Sequence, residues 1–580
     1  MHLRDLHIKK LATDTFDVLI IGGGINGGAA AAALAARGVK TALIDRCDFA
    51  SCTSQQSSNL AWGGIKYLET LEFGLVRQLC RSRNRLLQHY PSSVREIRFL
   101  LTIQKGFHHH PLKLWCGTWL YWCMGDGFTR RPRWLSPRRL KREEPVIDTA
   151  CSSAGLEYSD AYFYDNDARF VFNFVRAAMD NGCVAANYVA ALGSYRTGHH
   201  WHTHVRDVLS GDEQHITSRV LINATGPFVD TMNQLNGEKT EYRHVFAKGI
   251  HLIVDRVTPN RRVLVFFAAD NRLFFVIPMG SKTCIGTTDT RVDAPITDVT
   301  DADRRFVLDH INSRLTLSRA LTPDDIIAER CGVRPLALRG RDEPQKDFLR
   351  LSRQHAIEVN RRRAHISIFG GKLTDCLNVG EEICHGVQAV GLALPRPRQK
   401  WYGEPEAAVR QAFLRRARTI NLDAYTPHGA SEPLSTRLWR RYGRQAFGLL
   451  HQIASDATQA EPMIEGTAFL RCEMALVAQR EMVVTLEDFL RRRSKLALLR
   501  RQEDLRQAAG LMETCRVLFG AGQAGQKFAD YFHAPGGLRT PTTPWVCYTG
   551  TDHSHRMQRE QNRHQGHGGG PGSAGPGDTL

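Results

Sequence analysis

Long apolar runs are missing from this chain. None approaches the roughly 18 residues that a membrane-spanning helix needs, so no transmembrane segment is expected. The N-terminus, MHLRDLHIKKLATDTFDV, carries charges throughout and has no apolar core, so no secretory signal is expected either. The 14 cysteines are dispersed and form no C-x-x-C pair. That pattern argues against a zinc site or a disulfide framework, so no metal is expected, and it points to a reducing, cytoplasmic compartment. Acidic residues fall short of basic ones, 59 against 77, leaving a formal net charge of +18. Such an excess calls for an anionic partner: a phosphorylated metabolite, acidic lipid headgroups or nucleic acid. The arginines are scattered through helical segments without a nucleic-acid-binding motif, so nucleic acid is the weakest of the three. Internal repeats are absent. The His-, Gln- and Gly-rich end lacks apolar periodicity, so residues 550–580 read as a disordered tail.

What is present is a 580-residue chain with 42% hydrophobic and 23% charged residues, a globular composition long enough for two or three domains. Its most informative stretch is Phe16–Asp45, FDVLIIGGGINGGAAAAALAARGVKTALID. An apolar strand, Phe16 to Ile21, runs into Gly22, Gly24 and Gly27 in G-x-G-x-x-G spacing, followed by an alanine-rich helix and a second strand that ends at Asp45. The glycines suit a tight turn, a backbone approach to a pyrophosphate, and close helix-on-strand packing. The helix would aim its free N–H groups at the phosphates, and a carboxylate at Asp45 could accept from an adenosine ribose. A purely structural βαβ turn is the competing reading. The motif alone does not separate FAD from NAD.

Downstream, Ser51–Ser58 is a polar loop of the kind that meets phosphates, and Trp62-Gly63-Gly64 permits an unusual backbone beside a flat ligand. Helical periodicity runs from Leu71 to Tyr90. Pro111–Phe128, PLKLWCGTWLYWCMGDGF, is the most aromatic part of the chain, and Arg130, Arg131, Arg133, Arg138, Arg139, Lys141 and Arg142 follow it. That combination reads either as an interfacial membrane contact or as a core helix with a solvated arginine face. Leu156–Asn187 reads as a turn, a helix near Ala168–Asn181 and a strand. Val220–Gly226 reads as a strand re-entering the nucleotide-binding sheet. Val263–Thr288 reads as an antiparallel meander with turns at Asp270-Asn271 and Gly280-Ser281. CGVRPL (Cys331–Leu336) and HISIFGGKLTD (His365–Asp375) follow, the latter a strand, a double-glycine turn and a helix start. PRPRQKWYGEP reads as a linker. Beyond it the chain reads as helical to about Phe532, with one strong helix over RCEMALVAQREMVVTLEDFLRRRSKLALL.

GGGINGG, TSQQSSNLAWGGIKYLE, YSDAYFYDNDARFV, NATGPFV, FVIPMGSKTCIGTTD, CGVRPL and FGGKLTD occur in that order, and together they resemble the FAD-dependent, quinone-linked glycerol-3-phosphate dehydrogenases. The resemblance decides FAD over NAD. It implies an α/β fold: a glutathione-reductase-like FAD-binding Rossmann domain interleaved with an antiparallel β-sheet substrate domain over residues 1–395, then a C-terminal α-helical domain over 396–535. It implies oxidation of sn-glycerol 3-phosphate to dihydroxyacetone phosphate by hydride transfer from C2 to flavin N5, with electrons passed to a quinone. It further implies peripheral attachment to an acidic surface on the inner face of the cytoplasmic membrane, and it allows a homodimer. FAD contacts would fall on Gly22, Gly23, Gly24, Ile25, Asn26 and Gly27, on Asp45, Arg46, Thr53, Ser54 and Ser58, on Gly226, and on Gly371, Lys372, Leu373 and Thr374. Substrate contacts would fall on Lys66, Tyr67, Arg334, Lys372 and Thr374. Converging cations suit a phosphate dianion, and Arg334, ahead of Pro335, has the restricted backbone of a fixed clamp.

The chain departs from the family where Lys-Leu-x-His-Gly-Gly is usual: Asn59 and Trp62 replace the Lys and the His, and Lys66 stands where an arginine is common. The general base is then either His251, in KGIHLIV, or water or Tyr67 with Arg334 stabilising a developing alkoxide. Two other readings stay open: a same-fold FAD oxidase or dehydrogenase acting on another 2-hydroxy or amino acid, and a flavin-binding protein without catalysis.

Overall fold

The computed structural model describes residues 3–104, 109–150, 152–267, 273–340, 354–428 and 430–533. The tail over 550–580 and the turn at Asp270-Asn271 lie outside them.

The first strand forms at Thr15–Ile21, the second at Thr41–Ile44, and the helix between them at Ile25–Ala36. All of that helix is buried. Its alanines let it pack closely on every side, against the helices Asp167–Asp180 and Cys376–Ala389 as well as the sheet. The first strand pairs in parallel with Thr41–Ile44 on one side and with Glu213–Asn223 on the other. His365–Phe369 and Val184–Ala186 extend the parallel sheet outward. The segment predicted to re-enter the nucleotide-binding sheet therefore does so, next to the first strand.

A second, ten-stranded sheet is assembled from segments that alternate along the chain with those of the first. The expected meander is there, Arg262–Phe267, Leu273–Met279 and Lys282–Gly286, all antiparallel. Arg262–Phe267 also runs parallel to Val94–Gln104, an exception within a sheet that is otherwise antiparallel. The long strand Tyr242–Asp255 carries His251 and pairs with Ala328–Arg339, which carries Arg334.

Two local expectations fail. Leu156–Phe163 is not a turn but part of the strand Ser152–Phe163. Its polar residues hid it: Glu157, Ser159 and Asp160 are buried, with Arg98 and Arg83 as partners. The single strong helix over 471–499 is broken into Arg471–Arg480, a wide turn at Asp488–Arg493 and a short helix at Leu496–Leu499. The β-branched Val483, Val484 and Thr485 resist helix, and Asp488 Oδ2 accepts from the N–H groups of Val484 (2.8 Å) and Thr485 (2.9 Å). Arg492 and Arg493 then turn inward onto Asp48 of the nucleotide-binding region. The stretch expected as a linker lies against the parallel domain, with Trp401 buried and its Nε1 donating to Glu381 at 2.8 Å.

Candidate active site

The glycine turn is shaped by close approach. Gly22 has φ +107°, and a Cβ there would lie 2.5 Å from the Ala224 carbonyl oxygen. A Cβ on Gly27 would lie 1.8 Å from the Gly22 carbonyl, so only glycine lets the helix start this close to the strand. Gly24 caps the helix without a side chain, and no acid sits in the first turn. An anion therefore meets no competing carboxylate within the first turn. Asp45 accepts from Gly23 N at 2.7 Å and from Cys47 N at 2.9 Å. Burial pushes its carboxyl up to about 6, against the pull of those two N–H groups.

The polar loop folds back over this turn. Ser54 Oγ accepts from Ile25 N at 3.0 Å, which leaves its own hydrogen to donate. Thr53 instead donates its hydroxyl to the Val333 carbonyl at 2.7 Å, tying the loop to the Arg334 strand and leaving that oxygen only acceptor capacity. Ser58 is half-buried. On the other flank the Arg46 guanidinium lies 4.1 Å from the Phe228 ring centroid, beside Gly226, where a Cβ would meet no atom within 4 Å.

Gly370 and Gly371 turn the chain between strand and helix, and Asn26 Nδ2 donates to the Gly370 carbonyl at 2.9 Å. Lys372 follows, its Nζ donating to Tyr67 Oη at 2.8 Å and lying 4.2 Å from that ring. Leu373 packs against the parallel-sheet core and Thr374 is buried. A Cβ on Gly370 would lie 3.5 Å from the Pro335 carbonyl, so the Arg334 strand abuts the same turn. Arg334 donates to Thr287 Oγ1 at 2.9 Å and pairs with Asp289 at 3.1 Å. Lys66 is half-buried and forms no ion pair among the described residues.

Trp62 occupies an aromatic box, its ring 5.8 Å from Tyr67 and 6.3 Å from Phe275. It packs there and has no basic nitrogen to offer. His251 is buried, and neither of its ring nitrogens has a protein partner. Burial first, then the charges of Arg330 and Arg334, hold its pKa well below the usual imidazole value, so the ring is neutral.

Several residues of this region escaped sequence reasoning. Arg330 lies directly across from His251 and on the same strand face as Arg334, four residues on. It is 1% exposed and donates to the Ser57 carbonyl and to Asn59 Oδ1 (2.6 Å for the latter). The even spacing of two arginines along a strand was the available signal. Asp160 accepts from Gly63 N at 3.0 Å, Arg83 at 2.8 Å and Tyr121 at 2.8 Å, fixing the Trp62–Gly64 segment from beneath. No local pattern announces that contact.

FAD fits what the chain presents. The glycine turn and a helix start free of acidic residues suit a diphosphate, Ser54 adds a donor, and Asp45 has acceptor capacity left for a ribose. Asn26 Oδ1, both His251 nitrogens and Arg330 Nε are buried without protein partners, and a buried polar ring system is the kind of group that satisfies such atoms. Among the described residues no cluster of three or more His, Cys, Asp or Glu could hold a metal ion.

Comparisons with known proteins bear on the family and the fold. Residues 17–357 match the family described as FAD dependent oxidoreductase, and residues 403–524 match the C-terminal domain of alpha-glycerophosphate oxidase. Glycerol-3-phosphate dehydrogenase 2 of Mycobacterium tuberculosis is 30% identical over 506 residues, spanning 84% of this chain and 82% of that protein. The aerobic glycerol-3-phosphate dehydrogenase of Staphylococcus epidermidis is 28% identical, spanning 84% of this chain and 88% of that one. In fold, the FAD-complexed glycerol-3-phosphate dehydrogenase of Bacillus halodurans superposes with a TM-score of 0.65 at 23% identity, covering 97% of each chain. With a glycine turn built for a dinucleotide, two interleaved sheets and both matching regions in sequence order, the chain belongs to the FAD-dependent glycerol-3-phosphate dehydrogenase family.

Proposed function

We propose that the chain oxidises sn-glycerol 3-phosphate at C2 to dihydroxyacetone phosphate and that its electrons leave to a quinone dissolved in the membrane. The relatives' names supply the substrate. The observation that best supports the reading is that two cations from different elements, Arg334 and Lys372, flank the Gly370–Gly371 turn. When bound, FAD supplies the acceptor for the C2 hydride and the route onward for its electrons.

The chain's own residues do the rest. Arg334, braced at its guanidinium by Thr287 and Asp289, presents a planar fork to the phosphate. Lys372, held by Tyr67, adds a second positive charge and aligns the substrate. His251, buried and neutral, has a nitrogen able to accept the C2 hydroxyl proton, the task that Trp62 cannot perform. Trp62, Tyr67 and Phe275 exclude water from one wall.

Adding glycerol 3-phosphate under nitrogen should bleach the flavin absorbance, and a soluble quinone should restore it. Peroxide release in air at a comparable rate would instead make the protein an oxidase. Arg334→Leu should raise KM and lower kcat/KM by roughly a hundredfold or more, the cost of one charge-assisted clamp. Near-wild-type kinetics would remove Arg334 from the site.

The quinone reading also calls for a bilayer-facing surface. The helix Pro111–Met124 is the candidate: it buries only Thr118 and Tyr121, so it is a surface helix and not a core one. Among the described residues no helix is long and apolar enough to cross a membrane.

A further inference from the structure

A cleft of about 320 Å³ opens beside the tryptophan helix. Its floor is Glu157, 3% exposed, which pairs with Arg98 and Arg133 at 3.0 Å and with Arg262 at 3.4 Å. Glu143 and Glu144 bring further negative charge to Arg133 and Arg262. Arg98 is also fixed by Ser159 Oγ at 2.7 Å and by the Arg130 carbonyl. The inner guanidiniums are thus held in place and neutralised. Arg130, Arg131 and Arg261 line the same cleft, and among the described residues none of the three forms an ion pair. Three uncompensated forks around a preorganised floor make a receptor for a phosphate, which accepts bidentate hydrogen bonds from such groups.

The surroundings are apolar and open. Arg131 lies 5.9 Å from the Trp122 ring, and Trp134, 40% exposed, stacks edge-on to Trp115 at 6.0 Å. Leu112, Cys116, Leu120 and Cys123 recur at helical spacing, and all are exposed. Phe128, at the end of the same segment, is exposed as well. An outward apolar stripe beside an unneutralised cationic cleft matches the boundary of an acidic bilayer.

We infer that this cleft receives the phosphate of an anionic phospholipid headgroup while the adjoining tryptophan helix rests in the interface, so that the protein selects acidic bilayers. The inference rests on the peripheral attachment to an acidic surface expected above, and it adds the headgroup-phosphate site and the residues that read it. A free phosphorylated metabolite has the same chemistry but no use for the apolar rim.

Co-sedimentation of the FAD-loaded full chain with phosphatidylcholine vesicles, with and without phosphatidylglycerol, tests it. Wild type should favour the phosphatidylglycerol vesicles. Arg130→Gln/Arg131→Gln/Arg261→Gln should weaken that binding roughly a hundredfold at low salt, about what three basic groups at an anionic surface contribute. The same three residues changed to Lys keep the charge but lose the fork, and should fall between. Arg415→Gln/Arg416→Gln/Arg418→Gln, on an exposed helix elsewhere, should bind like wild type. Retained flavin absorbance certifies that each variant is folded. Equal binding to both vesicle types, or an equal loss in the control triple, would overturn the cleft while leaving attachment standing. No pelleting with either vesicle would overturn both. Tight binding of inorganic phosphate without a phosphatidylglycerol preference would make the cleft a metabolite site and overturn the lipid assignment.

Discussion

Replacing His355 by Gln should remove a stabilising charge in a pH-dependent way. His355 is buried behind the turn that carries Lys372, with Nδ1 3.0 Å from Asp375 and Nε2 3.0 Å from Glu382. Asp375 ends the Lys372–Thr374 segment and is also held by Ser82 at 2.7 Å and Gln78 at 2.9 Å. Burial alone would lower the imidazole pKa, but the two carboxylates outweigh it and raise it to about 9. The unfolded value is about 6.5, so between the two the folded protein keeps a proton that the unfolded chain has released. The stabilisation is therefore fully present below about pH 6.5 and is lost as pH rises through about 9. The gap corresponds to about 3 kcal/mol at roughly 1.4 kcal/mol per pH unit. The Glu382 side chain is 47% exposed, so solvent screening brings the contribution to about 2 kcal/mol. Urea unfolding of wild type and His355→Gln, followed by far-UV circular dichroism, should show a gap of about 2 kcal/mol at about pH 6 that closes by about pH 10. A gap independent of pH, or one that widens in alkali, would refute the charged His355–Asp375–Glu382 cluster.

Gly27→Ala places a methyl group against the Gly22 carbonyl and should yield protein with little bound flavin, read from the ratio of visible to ultraviolet absorbance. Arg83→Leu strands the Asp160 carboxylate in the core, since the pair is 1% and 0% exposed, and should cost about 3–5 kcal/mol in urea; adding Asp160→Asn should recover part of the loss. Tyr67→Phe removes the 2.8 Å partner of Lys372 and should raise KM for glycerol 3-phosphate roughly fivefold to thirtyfold, with the bound flavin unchanged.

Much of the cofactor half is legible in the primary structure because it is built locally. The strand, the glycine spacing, the helix and Asp45 lie within thirty or so residues, and each follows from what its own backbone requires. The substrate half is legible only as separate motifs. Arg334, Lys372 and Tyr67 are visible as basic or aromatic residues in distinctive company, but that Lys372 reaches Tyr67 across 305 positions is a product of folding. The strand Ser152–Phe163 escapes pattern reading because its buried polar residues have distant partners, such as Arg83, 77 positions from Asp160. The C-terminal helix breaks at the local β-branched run Val483–Thr485, but the course it takes afterwards is set from a distance: Arg492 pairs with Asp48, 444 positions away, and helical periodicity cannot register that attraction.

What the sequence determined alone is a dinucleotide site, since hydrophobic period and glycine placement are properties of neighbouring residues; FAD and the alternation of two sheets were legible only through the family resemblance. Tertiary structure decided where the charges meet. It set Trp62 into an aromatic box, left His251 buried and neutral across from Arg330, and gathered Arg98, Arg133 and Arg262 around one carboxylate beside an exposed apolar helix. Electrostatic partners act through space and cost nothing in sequence proximity, so only the folded chain shows which of 77 basic residues are neutralised and which are left to face a ligand.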